Sequence, residues 1–202
     1  MKSNVAVNII TIIVAFTILS ASFFKTVSIK YAYTPLVLSE NTEQKNTEDD
    51  LSVDYVLAYP GKINPDNPLW YLKALRDRIW VVTTFDQNKK SDLYLLFADK
   101  RLVSATMLFQ DNKPDLGLVT LTKAEKYLEK ASKTVSYTDS YEKLALASLK
   151  HREIIERQIL PLTPEDLRPQ AIKTIDYSKE VYKVMSVNLL TIGLNPPQNP
   201  FE

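Results

Sequence analysis

From Val5 to Phe24, between Lys2 and Lys25, the chain carries no acid and no base, and most side chains are apolar. Twenty such residues, wound as a helix, match the thickness of a bilayer's hydrocarbon core. A stretch like this has no place on the surface of a water-soluble body. It therefore divides the chain into a membrane-directed leader, residues 1–30, and a more polar remainder.

The leader has two possible fates. Ser20, Ala21 and Ser22 are small enough for a signal-peptide cleavage site, whereas the bulky Phe23 and Phe24 that follow favour a retained anchor. Lys25 and Lys30 balance Lys2 and the amino terminus, so flanking charge does not set the orientation. The expectation is a single-pass cell-membrane protein with its body outside the cytoplasm, secreted if the leader is cleaved. The membrane is thus a partner through the N-terminal helix.

The chain has no cysteine, which removes disulfide frameworks, thiolate metal sites and cysteine nucleophiles. Stability must come from an apolar core. The formal charge of +1 hides an asymmetry. Between Glu40 and Asp54 six acids face Lys45 alone, a net of −5, while the body from Tyr55 onward is near +3. Residues 31–58, rich in Asn, Thr and Glu, read as a flexible acidic linker. A body so weakly basic gives no footprint for nucleic acid.

Beyond the linker, apolar residues recur at alternating steps of three and four, the spacing of one helical face. Five such stripes follow in order. Leu72, Leu75, Ile79 and Val82 form the first, and Leu95, Ala98, Leu102, Ala105 and Phe109 the second. Leu121, Ala124, Leu128, Ala131 and Val135 form the third, and Tyr141, Leu144, Ser148, His151 and Ile155 a weaker fourth. Ile175, Ser178, Tyr182, Met185, Leu189 and Ile192 form the fifth. The breaks fall where capping chemistry predicts them. Asn67-Pro68 and Thr163-Pro164 pair a capping side chain with a proline, Asp86 can cap the second helix, and Thr138 or Asp139 the fourth. Leu162 and Leu167 are spaced for a hydrophobic staple, Pro169 should split off a first turn, and Gly193 should end the last helix. The expected fold is all-α: an up-and-down bundle of four to five helices over residues 59–193, with a proline-rich tail over 194–202.

Three dispersed glycines cannot build a phosphate-cradling loop or a dinucleotide fingerprint. His151, the sole histidine, has neither the second histidine of a zinc motif nor a Glu three residues before it, and reads as a boundary histidine bonded to a neighbouring carboxylate. No catalytic, cofactor-binding or metal-ligating residue is assigned, and no cofactor is expected. The candidate interaction surface is the first helix and its exit: Trp70 and Trp80 as aromatic anchors, with Lys73, Arg76, Lys89 and Lys90 as a basic edge that could meet anionic lipid or an acidic wall polymer.

The stretch Tyr59 to Leu102 resembles a bacterial domain-of-unknown-function family of exported helical proteins. The resemblance rests on Pro60-Gly61, Pro65-Asp66 and Pro68-Leu69-Trp70-Tyr71-Leu72-Lys73, then Phe85-Asp86, Lys89-Lys90, Leu93 and Phe97-Ala98-Asp99-Lys100-Arg101-Leu102. It extends to about residue 135. It implies a helical fold behind a signal or anchor and carries no activity, cofactor or catalytic residue.

The expected role is a non-enzymatic, membrane-tethered module contacting an envelope protein or cell-wall polymer. The alternative is an extracytoplasmic sensor or chaperone-like bundle holding a ligand or unfolded chain in a groove between helices. A wall-polymer hydrolase would need two carboxylates facing one cleft, with Asp77 or Glu153 buried there.

Overall fold

Helix boundaries follow the capping residues, with two exceptions. The computed structural model describes Val14 and residues 53–202. The anchor-or-signal reading of the leader and the linker reading up to residue 52 lie outside the described residues. Within 53–202 five α-helices form: α1 Trp70–Thr83, α2 Gln87–Gln110, α3 Pro114–Thr134, α4 Asp139–Ile154 and α5 Arg168–Thr191. No strand occurs among the described residues.

Asn67 Oδ1 accepts from the Leu69 amide just ahead of α1. Asp86 accepts from the Asn88 and Lys89 amides, satisfying two of the otherwise unpaired donors at the start of α2. Asn112 adopts a φ of 56° and turns the chain into α3, whose first residue is Pro114. At the end of α5, Gly193 has a φ of 79°, and the Leu194 amide returns to the Leu189 carbonyl, closing a Schellman motif.

The exceptions are the fourth and fifth starts. Thr138 makes no capping bond. The Thr163 hydroxyl donates backward to the Ile159 carbonyl, and Leu162 is exposed, so neither the Thr163 cap nor the staple forms. The cause is the join before them. Pro161 has no amide to continue the ladder, and α4 widens into a π-turn over Ile155–Ile159 and then tightens into a 3-10 turn over Leu160–Leu162. The wider turn keeps Ile155 and Ile159 fully buried. Pro169 does split off a first turn, since Pro164–Leu167 is a separate turn ahead of α5.

The core is a four-helix assembly in which α2 packs on α3, α4 on α5, and α3 also on α5. The second and third stripes supply its centre; Ala98, Leu102, Ala105, Leu121, Ala124 and Leu128 have no exposed surface. Gly117 lets α3 approach α2, because a Cβ there would stand 2.9 Å from the Phe109 ring. The fourth and fifth stripes are buried through Leu144, Ser148, Ile175 and Met185, while Tyr141 and Tyr182 are half-buried and Ile192, past the end of α5, is exposed.

The first stripe is the correction. Leu72, Leu75, Ile79 and Val82 do not face the bundle; they are 66%, 54%, 42% and 68% exposed. The opposite face of α1 is pinned inward instead. The Lys73 ammonium donates to the Pro60 and Ile63 carbonyls, Asp77 is buried against Arg76, and Trp80 stands edge-on to Phe97 of α2. A charged residue with several hydrogen-bond partners outweighs an apolar stripe in fixing which way a short helix rolls.

Residues 53–58, the last of the stretch read as linker, lie against the bundle. Val53 and Ala58 are buried, and the Val53 amide donates to Glu153.

Candidate functional site

Four helices and the extended segment before them each send one polar side chain to a single point in the core. His151 of α4 is fully buried, with Nδ1 2.7 Å from Glu125 Oε1 of α3 and Nε2 3.2 Å from Asp99 Oδ1 of α2. Ser178 of α5 donates to the other Glu125 oxygen at 2.8 Å. The Tyr55 hydroxyl donates to the other Asp99 oxygen at 3.0 Å. Every carboxylate oxygen in the cluster is thus used.

Both ring nitrogens of His151 lie within hydrogen-bond reach of acid oxygens, an arrangement that favours the doubly protonated imidazolium. Burial alone would push the histidine pKa down. The Glu125 charge and the hydrogen bonds to Asp99 and Glu125 outweigh it and lift the pKa to about 9. His151 is therefore not the boundary histidine that its sequence neighbours suggest. Its partners come from two other helices, 26 and 52 residues away in sequence, and Asp99 sits on its helix without a local cue. A Glu at position 125 within an otherwise apolar face was the one available signal.

Chemically the cluster is closed. Glu125 and His151 are sealed from solvent and Asp99 nearly so, which leaves no room for a substrate between acid and base. A fully satisfied buried network of this kind holds elements in one arrangement. Here it ties together all four core helices and the Tyr55 segment. The acids considered for hydrolysis are likewise occupied: Asp77 pairs with Arg76 at 2.6 Å, and Glu153 accepts from Val53 and Lys150. Among the described residues no group of His, Asp and Glu side chains could hold a metal ion.

The candidate interaction residues separate. Trp80 packs on Phe97 as a core aromatic. Lys73 is turned inward beneath Trp70, 4.8 Å from the ring centroid, and burial lowers its pKa to about 8. Arg76 is tied to Asp77. Lys89 remains exposed at the start of α2, with Lys90 half-buried beside it. Trp70 alone keeps a ring edge toward an open groove. The surface that results is apolar rather than basic: the outward row of α1, continued by Tyr71 at 78% and Phe85 at 91% exposure. Asp77 is the only acid on α1, and it is buried, so this face carries no negative charge. Sequence periodicity found the row but assigned it to the core.

A second feature is the tail, which covers the α4–α5 seam. Tyr182 donates to the Pro197 carbonyl, and the Arg152 guanidinium lies 4.2 Å from the Phe201 ring centroid.

A family described as a domain of unknown function, DUF5667, matches residues 62–163, half of the chain, and the chain belongs to that family. The match begins just before α1 and ends at the 3-10 turn, so it takes in three of the four helices of the buried network. No curated protein and no solved structure matches the chain.

Proposed function

We propose that this member of the DUF5667 family is a non-enzymatic module of the cell envelope, held at the membrane by Val5–Phe24, whose α1 lies in the lipid surface. The observation that carries this is the outward row of α1. Leu72, Leu75, Ile79 and Val82 project from the bundle beside Tyr71 and Phe85, while the helix is anchored through its other face. An isolated exposed leucine needs no explanation, but a contiguous apolar row on one helix marks a contact surface.

The lipid surface is the occupant that fits best. The exposed charge beside the row is Arg78, a cation, as suits an interface of anionic headgroups. At 14 residues, α1 is too short to span a bilayer, and no helix among the described residues is long and apolar enough to do so. A helix of this length with one apolar face would lie in the plane of the interface. The closed acid–histidine cluster supports a role without catalysis.

Because the chain lacks cysteine, a single Val82→Cys spin label on the full-length protein in vesicles reports the depth of α1 directly. The expected result is high accessibility to oxygen and low accessibility to a water-soluble nickel reagent, the reverse of a label at the exposed Glu180. A label at position 82 as water-exposed as the control would remove the lipid reading. Fractionation of the tagged full-length chain tests the tether separately: recovery in the soluble cytoplasmic fraction would overturn it.

A further inference from the structure

Between α1 and α3 lies a groove of about 420 Å³ whose charge is one-sided. From α3 come Lys123, Lys126 and Lys130, which share one face at steps of three and four; from α1 comes Arg78. Arg101 of α2 completes five cations, and no carboxylate lines the groove. Like charges crowded into one concave space raise each other's energy, and a bound anion relieves them.

Arg101 makes this a built site rather than a basic surface. It is 6% exposed, yet none of its nitrogens meets a carboxylate among the described residues. Its one hydrogen bond runs to the Phe97 carbonyl of its own helix at 3.4 Å. The guanidinium is held flat against aromatic faces, 4.4 Å from the Tyr127 centroid and 5.8 Å from that of Trp70. A guanidinium carries five N–H donors, and the only sealed side-chain polar atom without a partner among the described residues is Ser186 Oγ. The unbonded Arg101 donors are therefore not sealed, and the groove that this residue lines is where they open. Asp77, whose charge acts on Arg101, is already paired with Arg76, so an anion arriving in the groove lowers the cost of burying this cation.

We infer that this groove binds a phosphate ester. The planar fork of Arg101 meets two phosphate oxygens, and the three lysines and Arg78 neutralise the remaining charge. A phosphate offers the guanidinium fork and the lysines several oxygens on one centre, with two charges in a monoester and one in a headgroup diester. The volume, within the range of small-ligand sites, leaves space for a small polar body against Trp70 and Tyr71. The phosphate can belong to a soluble ester or to a lipid headgroup, and the inference stands whether or not α1 lies in a bilayer.

The test is calorimetric titration of the detergent-solubilised full-length chain with glycerol 3-phosphate, dihexanoylphosphatidylglycerol and, as a dicarboxylate control, succinate. Saturable binding of glycerol 3-phosphate assigns a soluble ester. Binding of the phosphatidylglycerol alone assigns a headgroup. In either case affinity should fall at least tenfold in Lys123→Gln/Lys126→Gln, two exposed positions whose replacement leaves the fold intact, and in Arg101→Gln if its melt shows it folded. Absence of saturable binding by both phosphates, equal affinity for succinate, or affinity unchanged in the double lysine variant would overturn the inference.

Discussion

His151 Nδ1 stands 2.7 Å from Glu125 Oε1 with both side chains at zero exposure, a charged pair sealed inside a helical bundle. Its counterpart bond to Asp99 and the caps supplied by Tyr55 and Ser178 leave no polar atom of the cluster idle. The arrangement makes stability depend on pH. Folding lifts the histidine pKa from 6.5 to about 9, so between those values the folded chain holds a proton that the unfolded chain releases. Stabilisation from this group is complete below pH 6.5 and is lost as pH rises through 9, up to about 3 kcal/mol in all. Thermal melts from pH 6 to 9.5 should show a falling midpoint, and the slope should flatten in His151→Gln. A midpoint that stays level across that range contradicts an imidazolium core.

Gly117 and Phe109 set the distance between α2 and α3. Replacing a helical glycine by alanine ordinarily stabilises by about 1 kcal/mol. Here the new methyl would stand 2.9 Å from a ring that is itself only 3% exposed and hemmed in by the core. Overpacking wins, and Gly117→Ala is expected to destabilise by about 1–2 kcal/mol net. Urea denaturation measures it, and Gly117→Ala/Phe109→Leu should recover part of the loss.

Asp86 accepts two amides at the start of α2, and its exposed carboxyl is held below the usual range chiefly by the Lys89 amide. Asp86→Ala should cost about 1 kcal/mol in chemical denaturation, and Asp86→Asn much less, because the bond rather than the charge is what the helix needs. Equal losses for the two would assign the effect to charge.

Asp86, like Gly193, was legible because the signal is local: a side chain satisfying its own neighbours, or a backbone angle that few residues accept. Helical periodicity was legible for the same reason, and the stripes of α2 to α5 point where spacing puts them. What spacing cannot contain is the identity of the partner. Ser178 lies on the fifth stripe and Glu125 on the apolar face of α3, but nothing in the chain joins them, or Asp99, to His151. The π-turn before Pro161 shifted the capping positions that followed it, so Thr163 bonds backward instead of capping. For α1, two polar residues decided the outcome. Lys73 finds the Pro60 and Ile63 carbonyls on a segment with no secondary structure, and Asp77 is buried beside Arg76. The cationic groove was missed because its five cations come from three helices, and only the steps between Lys123, Lys126 and Lys130 were visible in the chain.

The roll of α1 yields the sharpest contrast between stripe and structure. If Leu72, Leu75 and Ile79 faced the core, as their spacing suggests, cutting them back would cost about 2–5 kcal/mol each. They are more than two-fifths exposed, so replacing all three by Gln should move the unfolding free energy by no more than about 1 kcal/mol. Leu102→Ala, at a position with no exposed surface, should cost about 2–5 kcal/mol in the same assay. The triple variant should nonetheless change behaviour at the membrane: in vesicles its Val82→Cys label should lose the oxygen accessibility of the parent and become open to the nickel reagent. Stability that collapses in the triple variant would place the row in the core. Stability that holds while the label stays immersed would mean that something other than this row seats the helix in lipid.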